Sequence, residues 1–203
     1  MRVSLFVTCL GDRFFADASV DAVRLLRSLD VEVDFPSDQT CCGQPALNSG
    51  DRAHAIALAK QTIAALEPCP AIVVPSGSCA GTIRCHYPEL FEGDADWLPR
   101  AQAVAAKTYE IMAYLDEVLG WKPDGVRLDA TATYHDSCSG LRELGVKAQP
   151  RRLLAQGQGL SLTPLAGEET CCGFGGTFCV KYPAISNAIV GEKADAIAAT
   201  GAD

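Results

Sequence analysis

Two vicinal cysteine pairs stand out in this sequence, each preceded by threonine and followed by glycine. The first reads QTCCG at residues 39–43, and the second reads ETCCG at residues 169–173. Adjacent cysteines are strained partners for a mutual disulfide. A glycine after them permits a tight turn with positive φ, which can bring both sulfurs to a common centre. The pattern is therefore typical of thiols that bind a metal or take part in redox chemistry.

Single cysteines extend the pattern in each half of the chain. In the first half, 31 residues separate Cys9 from the cysteine pair, and in the second half 32 residues separate Cys138 from its pair. The lone cysteines are offset by 129 residues and the pairs by 130, which indicates one unit written twice. Adding 130 to the position of Cys79 gives 209, beyond residue 203. We therefore expect the second unit to lack its last strand and the cysteine that would follow that strand.

Short apolar segments alternate with helical patterns along the chain. Strands are predicted at 2–8, 31–35, 71–75, 131–135 and 160–165, and helices at 17–29, 51–66, 100–119, 140–156 and 184–200. This alternation favours an α/β fold with mainly parallel strands. We expect two pseudo-symmetric α/β repeats. The first covers residues 1–120, a turn-rich linker covers 121–130, and a C-terminally truncated second repeat covers 131–203.

The cysteines follow predicted strands, and this placement predicts a common site. Loops at the carboxyl ends of parallel strands gather at one edge of a sheet, where ligands bind. One such edge can collect four sulfurs from three loops, namely those of Cys9, Cys41, Cys42 and Cys79. Converging thiolates predict iron–sulfur ligation, with tetrahedral zinc as a competitor. A thiol–disulfide oxidoreductase that uses vicinal cysteines is a third hypothesis.

Glycines and the remaining cysteines have predicted roles around this site. Gly43 and Gly173 are predicted to be the turn residues that let the backbone approach the cofactor. His135 and Asp136, at a strand end just before Cys138, suit a structural hydrogen bond or support of the ligands. Three further cysteines have other expected roles. Cys69 suits packing before a buried strand, Cys85 suits a helix position or a spare ligand near Cys79, and Cys179 is a candidate substitute ligand for the second unit.

Composition limits the compartment and the class of partner. The 203 residues carry a formal net charge of −8 and are 48% hydrophobic, so we expect no nucleic-acid partner. No apolar run approaches the roughly 18 residues of a membrane span, and the first residues show no export signal. We therefore expect a cytoplasmic protein, in which ten cysteines favour metal or redox chemistry over disulfides.

The motif Cys-x31-Cys-Cys-Gly-x35-Cys, which runs from Cys9 to Cys79, resembles the cysteine-rich CCG domain. This domain usually occurs in tandem in iron–sulfur oxidoreductases. The phrases YHDSCSGLRELGVKAQPRRLL (134–154) and ETCCGFGGTFCVKYPAIS (169–186) are similar to those of a small stand-alone member of the family. The resemblance covers essentially the whole chain.

The resemblance implies a [4Fe-4S] cofactor, in either the cubane or the non-cubane form. Thr82 stands where full family motifs often carry a fifth cysteine. The implied metal ligands are Cys9, Cys41, Cys42 and Cys79 in the first repeat and Cys138, Cys171 and Cys172 in the second. Because exposed clusters are oxygen-labile, we expect the cofactor to be lost during aerobic purification.

The resemblance also implies a function and partners. The chain would act with other iron–sulfur subunits of a lactate-oxidising complex and bind no flavin itself. It would pass electrons onward as L-lactate, or a related 2-hydroxy acid, is oxidised to the keto acid.

Overall fold

A computed structural model describes residues 1–123 and 125–203. Asp124, inside the predicted linker at 121–130, lies outside the described residues. The chain divides into two compact units, which we call unit 1 (Met1–Ile111) and unit 2 (Met112–Asp203). Each unit contains helices and a parallel sheet, which confirms the predicted α/β class. The predicted repeat limits at 120 and 131 stay a prediction.

Unit 1 is built on a four-stranded parallel sheet in the order β2-β1-β3-β4. The strands are β1 (Arg2–Leu5), β2 (Glu32–Asp34), β3 (Ile72–Val74) and β4 (Thr108–Glu110). Strand β1 lies between two neighbours, with Val3 opposite Val33 and Leu5 opposite Val73. All three residues of β3 are buried, as expected for an apolar run inside a parallel sheet.

Helices cover this sheet, and α4 illustrates why they form where they do. The helices of unit 1 are α1 (Cys9–Phe14), α2 (Ala16–Ser28), α3 (Gln44–Asn48), α4 (Arg52–Leu66), α5 (Gly77–Gly81), α6 (Tyr87–Leu90) and α7 (Trp97–Ala106), with a π-helical segment at Thr82–His86. The Asp51 side chain caps α4 by accepting a hydrogen bond from the His54 N–H. Helix α4 then buries one stripe at helical spacing, formed by Ala55, Ala59, Thr62, Ile63 and Leu66.

The prediction of one helix over 100–119 is wrong in its second half. Helix α7 ends at Ala106, β4 follows, and then come α8 (Ile111–Ala113) and a π-helical segment at Tyr114–Val118. The Thr108 hydroxyl donates to the Val104 carbonyl at 2.8 Å, and the Ile72 N–H donates to the Lys107 carbonyl at 2.8 Å. Pairing with β3 therefore outweighs the helical periodicity of this segment.

Unit 2 repeats the first part of unit 1. Its two parallel strands are β5 (Arg127–Ala132) and β6 (Gln158–Leu162), and its further helices are α9 (Cys138–Arg142), α10 (Ala148–Gln156), α11 (Thr177–Lys181) and α12 (Pro183–Ala198). The order β5-α9-α10-β6-α11-α12 matches the order β1-α1-α2-β2-α3-α4 of unit 1, which confirms the predicted repeat. Within the described residues of unit 2, no strand follows α12.

Two smaller findings complete the fold. The predicted helix at 140–156 is divided into α9 and α10, because Gly145 lies between them with φ of +69°, where a right-handed helix cannot continue. Within the described part of the chain, every helix falls short of the length and apolarity that spanning a bilayer demands.

Candidate metal centre

The sulfurs of unit 1 meet at the carboxyl ends of three of its four parallel strands, namely β1, β2 and β3. Cys9 begins α1 after β1, the Cys41–Cys42 pair lies in the loop after β2, and Cys79 lies in α5 after β3. The sulfurs of Cys9 and Cys41 are 3.5 Å apart, and those of Cys42 and Cys79 are 3.3 Å apart. The structure therefore brings together all four sulfurs that the sequence predicts for this unit.

Gly43 shapes the turn that carries the vicinal pair. Its φ is +85°, a left-handed backbone conformation that residues with a side chain rarely adopt. A Cβ atom at this position would lie 3.3 Å from the Leu58 Cβ and 3.5 Å from the Ala55 carbonyl oxygen of α4. The Gly43 N–H donates to the Cys41 sulfur at 3.5 Å. The glycine thus permits close packing on α4 and supplies a hydrogen bond to a predicted ligand.

Burial differs sharply across the four thiols. Cys42 is 2% exposed and Cys79 is 7% exposed, whereas Cys9 is exposed and Cys41 is half-buried. The set therefore has a closed inner pair and an outer pair that solvent or another protein can reach.

A buried tyrosine supports the inner pair, and sequence reasoning missed it. Tyr87, at the start of α6, is fully buried, and its hydroxyl donates to the Cys42 carbonyl at 2.8 Å. Tyr87 lies 45 positions after Cys42 in the chain. A local pattern could not pair the two residues, since their contact depends on how α6 packs in unit 1.

The thiols shift one another's pKa values. Hydrogen bonding with Cys42, followed by burial, raises the pKa of Cys41 well above its usual range. For Cys42 the hydrogen bond with Cys41 lowers the pKa, but the hydrogen bond with Cys79 and burial outweigh it and raise the pKa to about 12. The pKa of Cys79 is lowered, chiefly by the hydrogen bond from Cys42. Burial raises the pKa of Cys9. Without a metal, most of this set is therefore protonated near neutral pH.

Unit 2 repeats this local geometry with three predicted ligands. Cys138 begins α9, and its thiol interacts with Cys171 and Cys172; burial first, and then these neighbours, raise its pKa. Gly173 has φ of +84°, and its N–H donates to the Cys171 sulfur at 3.3 Å. The three predicted ligands of unit 2 therefore also lie together, around the same glycine turn.

The remaining cysteines lie in different surroundings. The Cys179 sulfur, in α11, contacts the Gly176 carbonyl oxygen at 2.9 Å. Cys69 is buried just before β3, with its sulfur 3.8 Å from the Ala65 carbonyl oxygen. Cys85 is half-buried in the π-helical segment Thr82–His86. These positions suit the packing role expected for Cys69 and the helix position expected for Cys85.

A network of charged side chains lies near the thiols of unit 2, and the sequence predicted only the polar contact at Asp136. The Asp136 side chain is fully buried and accepts two hydrogen bonds from Arg151, at 2.7 and 2.9 Å. Arg151 also donates to Glu168 at 2.9 Å, and Lys147 pairs with both Glu168 and Glu169. The carboxylates of Asp136, Glu168 and Glu169 lie within 4.8 Å of one another. Because Arg151 and Lys147 between them pair with all three carboxylates, these residues form a structural ion-pair network rather than a metal site.

The His135 side chain contacts the backbone of the same region. Its Nδ1 lies 2.8 Å from the Glu168 carbonyl oxygen, so Nδ1 carries the hydrogen and donates to it. The structural hydrogen bond expected for this histidine is therefore present. Its Nε2 is buried without a partner among the described residues.

Comparison with known proteins agrees with this geometry. A family model described as a cysteine-rich domain, CCG, matches residues 3–84 and 132–203, and such a domain indicates metal or iron–sulfur binding. The chain is 46% identical over 206 residues to lactate utilization protein A 2 of Bacillus cereus (strain Q1). It is 48% identical to lactate utilization protein A of Macrococcus caseolyticus (strain JCSC5402) and 47% identical to that of Geobacillus sp. (strain WCH70).

These alignments cover the whole of this chain and 84%, 82% and 85% of the three relatives. The two matched segments contain all seven predicted ligands. The resemblance inferred from the motifs is confirmed: the chain belongs to the cysteine-rich CCG-domain family, and its likeness to lactate utilization protein A extends over its full length.

Proposed function

We propose that this chain is an iron–sulfur electron-transfer component of a lactate-oxidising system. The observation that carries the proposal is the meeting of four sulfurs from three strand-end loops of unit 1. Thiolates from separate loops are the usual donors to [4Fe-4S] clusters. The proposed ligands are Cys9, Cys41, Cys42 and Cys79 in unit 1, and Cys138, Cys171 and Cys172 in unit 2.

A single zinc ion is the competing occupant. Tetrahedral zinc with bonds of about 2.3 Å holds its sulfur ligands about 3.8 Å apart, near the 3.5 and 3.3 Å of the two sulfur pairs in unit 1. The match to the cysteine-rich CCG family model, rather than the sulfur spacing, supports an iron–sulfur cluster. Metal analysis of the loaded protein distinguishes the two occupants.

The distribution of pKa shifts disfavours a thiol–disulfide enzyme. Such an enzyme needs a reactive thiol that is exposed and has a low pKa. Cys79, whose pKa is lowered, is buried. Cys9, which is exposed, has a raised pKa. In unit 1, therefore, the exposed thiol and the thiol with the lowered pKa are different residues.

The residues of unit 1 suit a cluster that exchanges electrons with another protein. A bound [4Fe-4S] cluster supplies one-electron redox chemistry. Buried Cys42 and Cys79 would hold such a cluster on the side away from water, the Gly43 N–H donates to the Cys41 sulfur, and exposed Cys9 would give a partner access. The proposed partners are other iron–sulfur subunits, and the proposed substrate of the whole system is L-lactate or a related 2-hydroxy acid. The names of the relatives support lactate as the substrate.

Anaerobic reconstitution tests this function. Protein reconstituted with iron and sulfide should bind both stoichiometrically and give an electron paramagnetic resonance signal on reduction. Cys79→Ser should lose the share of iron that belongs to unit 1, because one of its four ligands is removed. Cys69→Ser is the matched control, since Cys69 is equally buried and lies outside the sulfur set. Full iron content in Cys79→Ser, or uptake of one zinc with no iron in the unaltered chain, would overturn the proposal.

A further inference from the structure

Strand β2 ends while the backbone of β1 still offers hydrogen-bonding groups beside it. The pairing of β1 with β2 ends at Asp34. Pro36 follows in the chain, and proline has no N–H with which to continue a ladder. The Phe6 N–H pairs with β3 on the opposite side, so the Leu5 carbonyl and the Val7 N–H face the side that β2 has left.

The side-chain amide of Gln39 takes the place of the missing strand residue. The Val7 N–H donates to Gln39 Oε1 at 2.7 Å. Gln39 Nε2 donates to the Leu5 carbonyl at 3.1 Å and to the Pro36 carbonyl at 3.0 Å. Because one end of the amide accepts and the other donates, these partners fix its orientation. Gln39 therefore continues the ladder of β1 from within the loop that follows β2.

This amide lies on the two chain segments that carry the outer sulfurs of unit 1. Val7 stands two residues before Cys9, and Gln39 stands two residues before Cys41. The Val7–Gln39 hydrogen bond and the Cys9–Cys41 sulfur contact at 3.5 Å both join positions that are 32 apart in the chain. The half-buried Gln39 side chain thus connects the same two segments whose separation sets the distance between these sulfurs.

Unit 2 makes the equivalent connection with its backbone. There the Asp136 N–H, which corresponds to that of Val7 at the offset of 129, donates to the Glu168 carbonyl at 3.1 Å. Glu169 corresponds to Gln39 at the offset of 130, and its carboxylate pairs with a lysine of unit 2 instead. A side-chain substitution can therefore remove this connection in unit 1 and leave the connection of unit 2 intact.

We propose that Gln39 is a positioning residue that holds the Cys9 and Cys41 sulfurs in contact before a metal binds. Its amide fixes the loop of Cys41 on the segment of β1 that continues to Cys9. Ligands that are already in place bind a metal without a further cost of ordering them. The importance of Gln39 for metal binding rests on the proposed function, whereas its hold on the two sulfurs does not.

The rate at which Cys9 and Cys41 form a disulfide measures this hold without any metal. The full chain, reduced and metal-free, is treated with diamide, which takes up the two hydrogen atoms that the thiols lose. Gln39→Met removes the hydrogen bonds of the amide at similar side-chain length, and we expect the disulfide to form about tenfold more slowly or less. Gln39→Glu should act in the same direction, because its carboxylate would face the Leu5 and Pro36 carbonyls.

Mass spectrometry of tryptic peptides identifies the link. Cys9 lies in peptide 3–13, and Cys41 lies in peptide 28–52. A Cys42→Ser background restricts the link between these two peptides to Cys41. In the same sample, the link from Cys138 in peptide 128–142 to peptide 153–181 serves as the internal reference, and its rate should not change.

Gln61→Met is the matched control variant. Gln61 is exposed, and its amide reaches the same loop only at the Asp38 carbonyl, at 3.5 Å. It should leave the Cys9–Cys41 rate unchanged. An unchanged rate in both Gln39 variants would overturn the proposal. Equal slowing of the unit 1 and unit 2 links would also overturn it, because the substitution would then act through a general loosening of the chain.

Zinc binding tests whether this positioning matters for a metal. In a Cys138→Ser background, which disables the thiol set of unit 2, Gln39→Met should weaken the apparent zinc affinity by about tenfold. Gln61→Met should not change this affinity. Equal affinities of these two variants would refute the role of Gln39 in metal binding. If the unaltered chain binds no iron but Gln39→Met still slows the Cys9–Cys41 link, the iron–sulfur proposal fails and the positioning role stands.

Discussion

At the residue scale, a few side chains hold the four thiols of unit 1 in place. The inner pair is closed off from water, and the backbone of Cys42 is fixed by the Tyr87 hydroxyl at 2.8 Å. The vicinal pair turns at Gly43, which packs against α4. The cysteines and the glycine could be predicted from the sequence, because their spacing repeats. Tyr87 could not, since its role depends on a tertiary contact that no local pattern records.

Removing the Tyr87 hydroxyl should loosen the inner pair. In Tyr87→Phe the buried Cys42 carbonyl loses its donor, and an unmet buried polar group costs about 1–3 kcal/mol. We expect the urea-induced unfolding of unit 1 to shift by a free energy of that size. Tyr182→Phe is the control, because Tyr182 is exposed. Equal stability of the two variants would show that the Tyr87 hydrogen bond does not support the site.

Gly43→Ala should be more costly than Gly50→Ala, although both residues have positive φ, at +85° and +80°. A side chain in the left-handed region costs about 1–2 kcal/mol at either position. At Gly43 the new Cβ also meets Leu58 at 3.3 Å, whereas no atom lies within 4 Å at Gly50. The difference between the two unfolding free energies isolates this close approach. Equal unfolding free energies would mean that α4 moves away from the new Cβ atom at no cost in free energy.

Metal binding to the reduced chain should depend steeply on pH. Cys41 and Cys42 have raised pKa values, the latter about 12, so a metal must displace their protons. The apparent affinity for zinc, used as a probe, should therefore increase as the pH is raised from about 6 to about 8. Competition with a chelator of known pH dependence measures this. An affinity that does not change with pH would contradict the protonated state inferred for the thiols.

At the scale of elements, the strand-end loops decide where the chemistry lies. Parallel strands were predictable from short apolar segments that alternate with helical patterns, and their carboxyl ends carry the cysteines as expected. Strand β4 was not predictable, because Thr108–Glu110 sits within a helical periodicity and becomes a strand only by pairing with β3. In unit 2 the same kind of loop is braced by Arg151 and Asp136. Sequence reasoning placed a polar contact at Asp136 but could not identify its partner.

Arg151→Gln should destabilise unit 2 strongly. It leaves the fully buried Asp136 carboxylate without its cation, a loss that costs about 3–5 kcal/mol when one partner of a buried pair is removed. Arg127→Gln is the control, because the Arg127–Asp129 pair is exposed and such pairs contribute about 0–1 kcal/mol. Denaturant unfolding of the two variants measures the contrast. Similar small effects would show that Asp136 is reached by water when Arg151 is absent.

At the scale of the whole molecule, the chain contains the same α/β arrangement twice, with different surroundings. Unit 1 places β1 between two strands and buries the inner face of α4. Among the described residues of unit 2, β5 pairs with β6, and Val190 and Ile197 of α12 are exposed. The repeat could be predicted from cysteine offsets alone. The exposure of α12 could not, because hydrophobic spacing shows which face is apolar but not whether anything covers it.

The central proposal is that thiolates of unit 1 hold one polynuclear iron–sulfur cluster. X-ray absorption at the iron edge of anaerobically prepared protein tests it most directly. We predict iron surrounded by sulfur, together with a clear iron–iron scattering shell that weakens in Cys79→Ser and persists in Cys69→Ser. Bound zinc with four sulfur neighbours and no metal–metal shell, in protein that takes up no iron, would contradict the proposal.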